Sequence, residues 1–145
     1  MKEFKIVVDI KAPASQVFAV LRDVERWPEW TSTVTSIQRT ESGPLVVGSS
    51  AWIKQPKLRD AVWRVTELED GKRFAWVTRS PGVQVKGDHV VESAGTGSKV
   101  TLSIQVWGLF APLVAGLYRG LFEQYLATEA NGLRRRCEAE APEAA

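Results

Sequence analysis

Six short segments rich in β-branched residues, separated by turn signals, constrain this fold more than any other feature of the sequence. The segments lie near 31–41, 48–55, 59–68, 73–79, 83–92 and 98–107. The breaks between them, such as Asp70-Gly71 and Gly95-Thr96-Gly97, leave loops of hairpin length. Because hairpins join antiparallel neighbours directly, the pattern predicts an antiparallel meander without crossover helices.

One strand and two short helices are expected before this meander. Apolar residues occupy alternate positions of Lys2–Ile10, which predicts a strand buried on one face. Pro13 opens a short helix, and Pro28 ends a second helical stretch around Trp27. The chain therefore begins with a strand and two helices before the main part of the sheet.

A long helix is predicted after the last strand, over 110–138, where it would span about 40 Å at 1.5 Å per residue. Its apolar residues recur at three- and four-residue steps and predict a stripe that lies on the sheet: Leu113, Leu117, Leu121, Tyr125 and Leu126. The tail 139–145 has no core residues and is expected to fray. This order of elements predicts a single α+β domain over 1–138.

Bulk properties narrow the classes of function. The chain of 145 residues has the size of one domain, and its net charge of +2 is spread over intermixed charges, so nucleic acid binding is not expected. Cys137 is the only cysteine, which rules out an internal disulfide and favours a cytoplasmic setting. The N-terminus lacks a signal-peptide pattern, and the apolar run 106–118 is shorter than the roughly 20 residues of a membrane span. A monomer and a homodimer both remain open.

A cavity is predicted between the sheet and the long helix, because one helix does not fill the concave face of a strongly curved sheet. Strand alternation gives the residues expected to line it: Ile53, Gln55, Trp63, Phe74, Trp76, Thr78, Val85, His89, Leu102 and Ile104. From the helix we add Leu117, Tyr118, Leu121 and Tyr125. Gly116 and Gly120 mark either the floor of the cavity or a close approach of helix and sheet.

The polar residues of this set leave several alternatives open. His89, the only histidine, is either a hydrogen-bonded core residue, a ligand-facing group or a catalytic base. A base would normally need an orienting carboxylate, and no inward Asp or Glu is evident. Gln55 and Thr78 either orient a ligand or satisfy buried backbone groups.

The six tryptophans are a large aromatic load for this length and divide by position. Trp63 and Trp76 fall on the concave side of the sheet. Trp27 and Trp30 either plug the end of the curved sheet or gate a cavity. Trp52 and Trp107 fall on the outward parity and suggest an interaction surface as a third possible role.

Several local motifs follow one another in a recognisable order: IKAPASQVF at 10–18, WPEW at 27–30, GS at 48–49, QP at 55–56, WRVTE at 63–67, FAW at 74–76 and GSKVTL at 97–102. In order and spacing they resemble the polyketide cyclase/dehydrase and lipid-transport family of the START-like superfamily, over nearly the whole chain. The resemblance implies a helix-grip fold, with a seven-stranded antiparallel sheet curved around a long C-terminal helix. It also implies a deep hydrophobic cavity for lipids, polyketides, sterols or other aromatic molecules.

Two functions follow from these observations. The first is binding of a lipid-like or polyketide-like small molecule in the cavity. The alternative is a cofactor-independent polyketide cyclase or dehydratase with His89 as general base. No cofactor is expected, because the sequence has no zinc-ligand set, no phosphate-binding loop and no Rieske-type spacing of Cys and His.

Overall fold

The computed structural model describes residues 1–140. Seven strands form one antiparallel sheet in the order β1-β7-β6-β5-β4-β3-β2. The strands are β1 Lys2–Ile10, β2 Ser36–Arg39, β3 Ser50–Lys54, β4 Ala61–Glu69, β5 Arg73–Ser80, β6 Val83–Ala94 and β7 Gly97–Trp107. The helices are α1 Ala14–Arg22, a 3₁₀ helix Val24–Glu29, α2 Ala111–Leu117 and α3 Arg119–Glu140. The predicted α+β architecture, a curved antiparallel sheet with a long C-terminal helix, is confirmed.

The sheet brings the two ends of the strand sequence together. β1 pairs with β7 from Lys2↔Val106 to Ile10↔Ser98, so the first strand lies beside the last one. The remaining neighbours are consecutive hairpins, as the turn signals predict. A bulge between Val65 and Glu67 shifts the register of β4, and such bulges bend a strand and increase its twist.

The helices cover one face of this sheet. Val17, Phe18 and Leu21 of α1 are fully buried, and the ring N–H of Trp27 donates to the Leu21 carbonyl at 2.9 Å. Leu126 and Leu133 of α3 belong to the same core cluster. The core therefore fills the part of the concave face beneath α1 and the C-terminal half of α3.

The expected single helix over 110–138 is wrong, because the helical segment breaks at Tyr118. Glycines flank the break at Gly116 and Gly120, and glycine is a poor helix former. The break turns α2 so that its alanines face the core, while Leu113 is 66% exposed and Leu117 is 73% exposed. The apolar stripe thus does not continue from α3 into α2.

The structure gives Gly116 and Gly120 neither of their expected roles. Both are exposed, and a Cβ added at either position would have no atom within 4 Å. The close approach occurs instead at Gly132, where a Cβ would overlap the carbonyl oxygen of Trp30. Helix α3 lies against the end of the 3₁₀ segment only because position 132 lacks a side chain.

Two other expectations differ from the structure, and a third is met only in part. The strand expected over 31–41 shortens to Ser36–Arg39. The tail expected to fray from 139 is helical through Glu140, and residues 141–145 lie outside the described residues. Of the two outward tryptophans, Trp52 is 54% exposed and Trp107 is half-buried. No helix of residues 1–140 has both the length and the apolar content to cross a membrane.

Candidate ligand-binding cavity

A cavity of about 480 Å³ lies between the concave face of the sheet and helices α2 and α3. Strands β3 to β7 form its wall on one side, and Val114, Tyr118, Phe122 and Tyr125 close it on the other. Exposed Arg59, Asp60 and Ser80 form its rim. Its volume lies within the range of about 300–1,000 Å³ that small-molecule sites occupy.

Most of the residues predicted for the cavity lie on its wall. They are Ile53, Gln55, Trp63, Trp76, Thr78, Val85, His89, Leu102, Ile104, Tyr118 and Tyr125. The strand members are there because side chains of a strand alternate between the two faces of the sheet. Their role in binding a ligand remains a prediction.

Three predicted residues do not lie on the wall, and the prediction is corrected for each. Phe74 is fully buried behind His89, with the two rings stacked at 4.2 Å. Leu117 points to solvent because the helix breaks after it, and Leu121 is half-buried away from the cavity.

Aromatic rings make up one side of the cavity. The ring centroids of Trp27 and Trp76 are 5.2 Å apart, and those of Trp63 and Trp76 are 6.0 Å apart. Trp27 is 3% exposed and held by its hydrogen bond to Leu21, so it is a fixed part of the wall. Trp30 packs on Trp27 at 5.4 Å and does not line the cavity.

His89 lies on this aromatic wall, and only one of its two ring nitrogens, Nδ1, is hydrogen-bonded to a described protein group. Its Nδ1 lies 3.0 Å from the Phe74 carbonyl oxygen. Since a carbonyl can only accept, Nδ1 carries the hydrogen and Nε2 keeps its lone pair. Burial lowers the pKa of His89 to about 4, against the opposing effects of the Phe74 carbonyl and the Asp88 charge. The ring is therefore neutral at pH 7.

Glu129 of α3 places a carboxyl group on the same wall. The Thr33 hydroxyl donates to Oε1 at 2.9 Å, and no protein group of residues 1–140 is hydrogen-bonded to Oε2. Burial raises the pKa of Glu129 to about 7, although the Thr33 hydrogen bond acts in the opposite direction. The carboxyl can thus gain or lose a proton near neutral pH.

The expectation that no carboxylate faces inward is wrong, because it considered only the strands. Glu129 follows Tyr125 by four residues and Leu126 by three, which places it on the buried side of α3. That helical spacing was the signal in the sequence that could have identified it.

The other charged groups of the wall have partners or lie at the rim. Arg73 holds both oxygens of Asp88, with Nε at 2.9 Å and Nη2 at 2.8 Å. The Tyr125 hydroxyl donates to the Pro56 carbonyl and so ties α3 to the β3–β4 loop, and burial raises the pKa of this tyrosine. Among the described residues, no three His, Cys, Asp or Glu side chains are grouped to hold a metal ion.

A family model described as polyketide cyclase/dehydrase and lipid transport matches residues 1–138 of this sequence. Among proteins with curated descriptions, none matches it significantly.

Solved structures share the fold at low sequence identity. The Zhui aromatase/cyclase from Streptomyces sp. R1128 has a TM-score of 0.78 at 14% identity, covering 97% of this chain and 99% of that one. TTHA0849 from Thermus thermophilus has a TM-score of 0.77 at 18% identity, with 97% and 100% covered. Ara h 8.0201 has a TM-score of 0.74 at 13% identity, with 96% and 99% covered.

Proposed function

The chain belongs to the polyketide cyclase/dehydrase and lipid transport family, and from this premise we propose that it binds a hydrophobic or aromatic small molecule in the cavity. The observation that carries the proposal is the cavity of about 480 Å³ with Trp27, Trp63 and Trp76 on its wall. A cavity of this size gives up side-chain packing that would stabilise the fold, which favours a use in binding.

The aromatic wall favours a planar or chain-like apolar ligand. Aromatic pairs contribute about 0.5–1.5 kcal/mol beyond the burial of their surface, and three indole rings offer that contact here. The indoles are fixed by packing before a ligand arrives, since Trp27 and Trp76 are buried at 3% and 4% exposure. Little ordering of side chains is then needed on binding, which favours affinity.

Two measurements test this proposal. Native mass spectrometry of the protein from its own host should detect a co-purified small molecule. Titration with an apolar fluorescent probe should quench tryptophan emission with saturation, and aromatic polyketides or lipids should displace the probe. Trp76→Leu should weaken probe binding at least about tenfold, while Trp52→Leu, on the outer face, should leave it unchanged. Absence of both a bound molecule and saturable quenching would contradict the proposal.

A second candidate function, cofactor-independent cyclisation or dehydration, is favoured by Glu129. Its pKa of about 7 is suited to general acid–base catalysis at neutral pH, whereas His89, with a pKa of about 4, is a weak base. Ionised Glu129 would take a proton from a carbon between two ligand carbonyls. The resulting enolate would attack a further carbonyl to form a C–C bond, and Glu129 would return the proton to the alkoxide.

The two residues can be separated by mutation with a poly-β-ketone mimic as substrate. Glu129→Gln should abolish turnover while binding persists, and His89→Gln should retain most of it. Turnover that survives in Glu129→Gln, or that is lost only in His89→Gln, would remove Glu129 from this role and return the base to His89.

A further inference from the structure

Binding of a purely apolar molecule leaves Glu129 without a use. A carboxyl group in an apolar cavity is unfavourable, and leucine or methionine would fill the same helical position at lower cost. Within residues 1–140, no cationic side chain contributes to the pKa of Glu129, which is shifted by burial and by Thr33 alone. The group therefore does not belong to an ion pair that would explain its presence.

A short hydrogen-bonded chain holds this carboxyl in place. The backbone N–H of Thr33 donates to the Thr31 hydroxyl oxygen at 3.3 Å. The Thr31 hydroxyl can then donate to Thr33 Oγ1 at 2.9 Å, which leaves the Thr33 hydrogen for Glu129 Oε1 at 2.9 Å. Both threonines are at most 3% exposed. The chain fixes one carboxyl oxygen and leaves the other open to the cavity.

The titratable or charged groups that face the cavity from the other elements do not neutralise Glu129. These are His89, Arg59, Asp60, Tyr118 and Tyr125. Asp88 also borders the cavity, but it alternates with His89 along β6, so its side chain points to the other face of the sheet. His89 is neutral, Asp88 is held by Arg73, and Tyr125 donates to the Pro56 carbonyl. Arg59 and Asp60 are exposed at the rim and of opposite sign.

We propose that Glu129 selects ligands by their polar end, accepting apolar molecules whose head group donates a hydrogen bond, a hydroxyl or an amine, and disfavouring carboxylates. The proposal rests on the proposed binding function. An anionic head would lie near a group that ionises, and like charges repel strongly where water is excluded. A ligand without a donor would cover the free Glu129 oxygen without pairing it, which sites built for a hydroxyl penalise heavily.

Matched probes test the selection directly. We would use dodecyl chains that differ only in the head group (alcohol, amine, methyl ether or carboxylate) to displace an apolar fluorescent probe at about pH 8.5, where Glu129 is mostly ionised. The alcohol and the amine should displace the probe at concentrations at least about tenfold lower than the ether and the carboxylate. A clear lead of the amine over the alcohol would assign the selection to charge pairing, and similar values would assign it to hydrogen bonding. Equal displacement by all four, or strongest displacement by the carboxylate, would overturn the proposal.

Two variants test whether Glu129 causes the discrimination between head groups. Glu129→Gln should bring all four probes within about threefold of one another, because the amide is uncharged and its N–H groups can donate to the ether and the carboxylate while its oxygen accepts from the alcohol and the amine. Glu123→Gln is the matched control: it removes the same charge from an exposed position of α3, where Glu123 pairs with Arg119 at 3.2 Å. That variant should keep the full discrimination. Full discrimination in Glu129→Gln would contradict the proposal.

A second pair of measurements holds even where Glu129→Gln does not fold. Thr33→Val removes the hydroxyl that orients the carboxyl and should reduce the discrimination at least about threefold. At about pH 5.5, below the pKa of about 7, Glu129 is neutral, so the preference for the amine should shrink in the wild-type protein. A preference that persists unchanged in both measurements would overturn the proposal. If the apolar fluorescent probe itself does not bind the wild-type protein, the proposed binding function fails, whereas a bound probe that none of the four chains displaces overturns only the selection by Glu129.

Discussion

At the residue scale, His89 and Glu129 face the same cavity, and loss of water drives both toward their neutral forms. Burial lowers the pKa of the histidine to about 4 and raises that of the carboxyl to about 7. The two shifts have opposite directions because the charged form is the acid of one group and the base of the other. Each shift makes the free energy of unfolding depend on pH, with opposite sign.

For His89, stability should fall as the pH is lowered from about 6.5 to about 4. In that range the unfolded chain binds a proton that the folded protein does not, so the loss approaches about 3 kcal/mol. Because the chain has one histidine, its NMR titration can be followed without overlap. Urea unfolding at several pH values should show the loss, and His89→Gln should reduce it. A midpoint near the ordinary histidine value would contradict the assignment.

For Glu129 the sign reverses. A raised pKa means that the folded protein holds its proton more tightly than the unfolded chain, so stability is lost as the pH rises from about 4.5 through about 7. Glu129→Gln removes this loss and should raise the free energy of unfolding by about 1–3 kcal/mol at about pH 8 relative to wild type. At about pH 4 the two proteins should be close in stability. If Glu129→Gln is less stable than wild type at both pH values, interactions of the carboxyl in the folded protein outweigh the cost of its burial.

At the element scale, the glycines of the C-terminal helices separate close packing from helix propensity. A Cβ at position 132 would overlap the Trp30 carbonyl, so Gly132→Ala should destabilise the protein by about 1–3 kcal/mol. Gly116→Ala meets no atom within 4 Å and should raise stability by up to about 1 kcal/mol. Thermal unfolding of both variants gives the comparison. Equal effects at the two positions would contradict the packing of α3 against Trp30.

The strands and the faces of their residues could be predicted from the sequence, whereas the C-terminal helices could be predicted only in part. The reason is that facing direction is set locally in a strand but depends on helix continuity in a helix. In a strand the face of each residue follows from parity alone, so Ile53, Trp63, Trp76 and Ile104 could be assigned inward without coordinates. A helical stripe can be extrapolated only while the helix continues. The break at Tyr118 depends on how α2 packs on the sheet, and the exposure of Leu117 follows from that packing.

At the scale of the whole molecule, the pairing of β1 with β7 and the bulge in β4 curve the sheet, and the helices cover the concave face without filling it. The core beneath α1 is dense, with Val17 and Phe74 at 0% exposure. Stability and binding therefore depend on different parts of one concave face. A substitution that fills the cavity should lower the affinity for a ligand without lowering the free energy of unfolding, which depends on the core beneath α1.

Val85→Phe tests this separation. Val85 is half-buried on β6 and lines the cavity, where it lies between Thr78 and Val106 in the sheet register. A phenyl ring would occupy space that a ligand needs, so probe affinity should fall at least about tenfold, while the free energy of unfolding should stay equal or rise by about 0.5–2 kcal/mol, as cavity filling commonly does. Val62→Phe adds the same ring at an exposed position of β4 and should change neither quantity. Unchanged probe affinity in a folded Val85→Phe would show that the probe does not occupy the part of the cavity beside Val85.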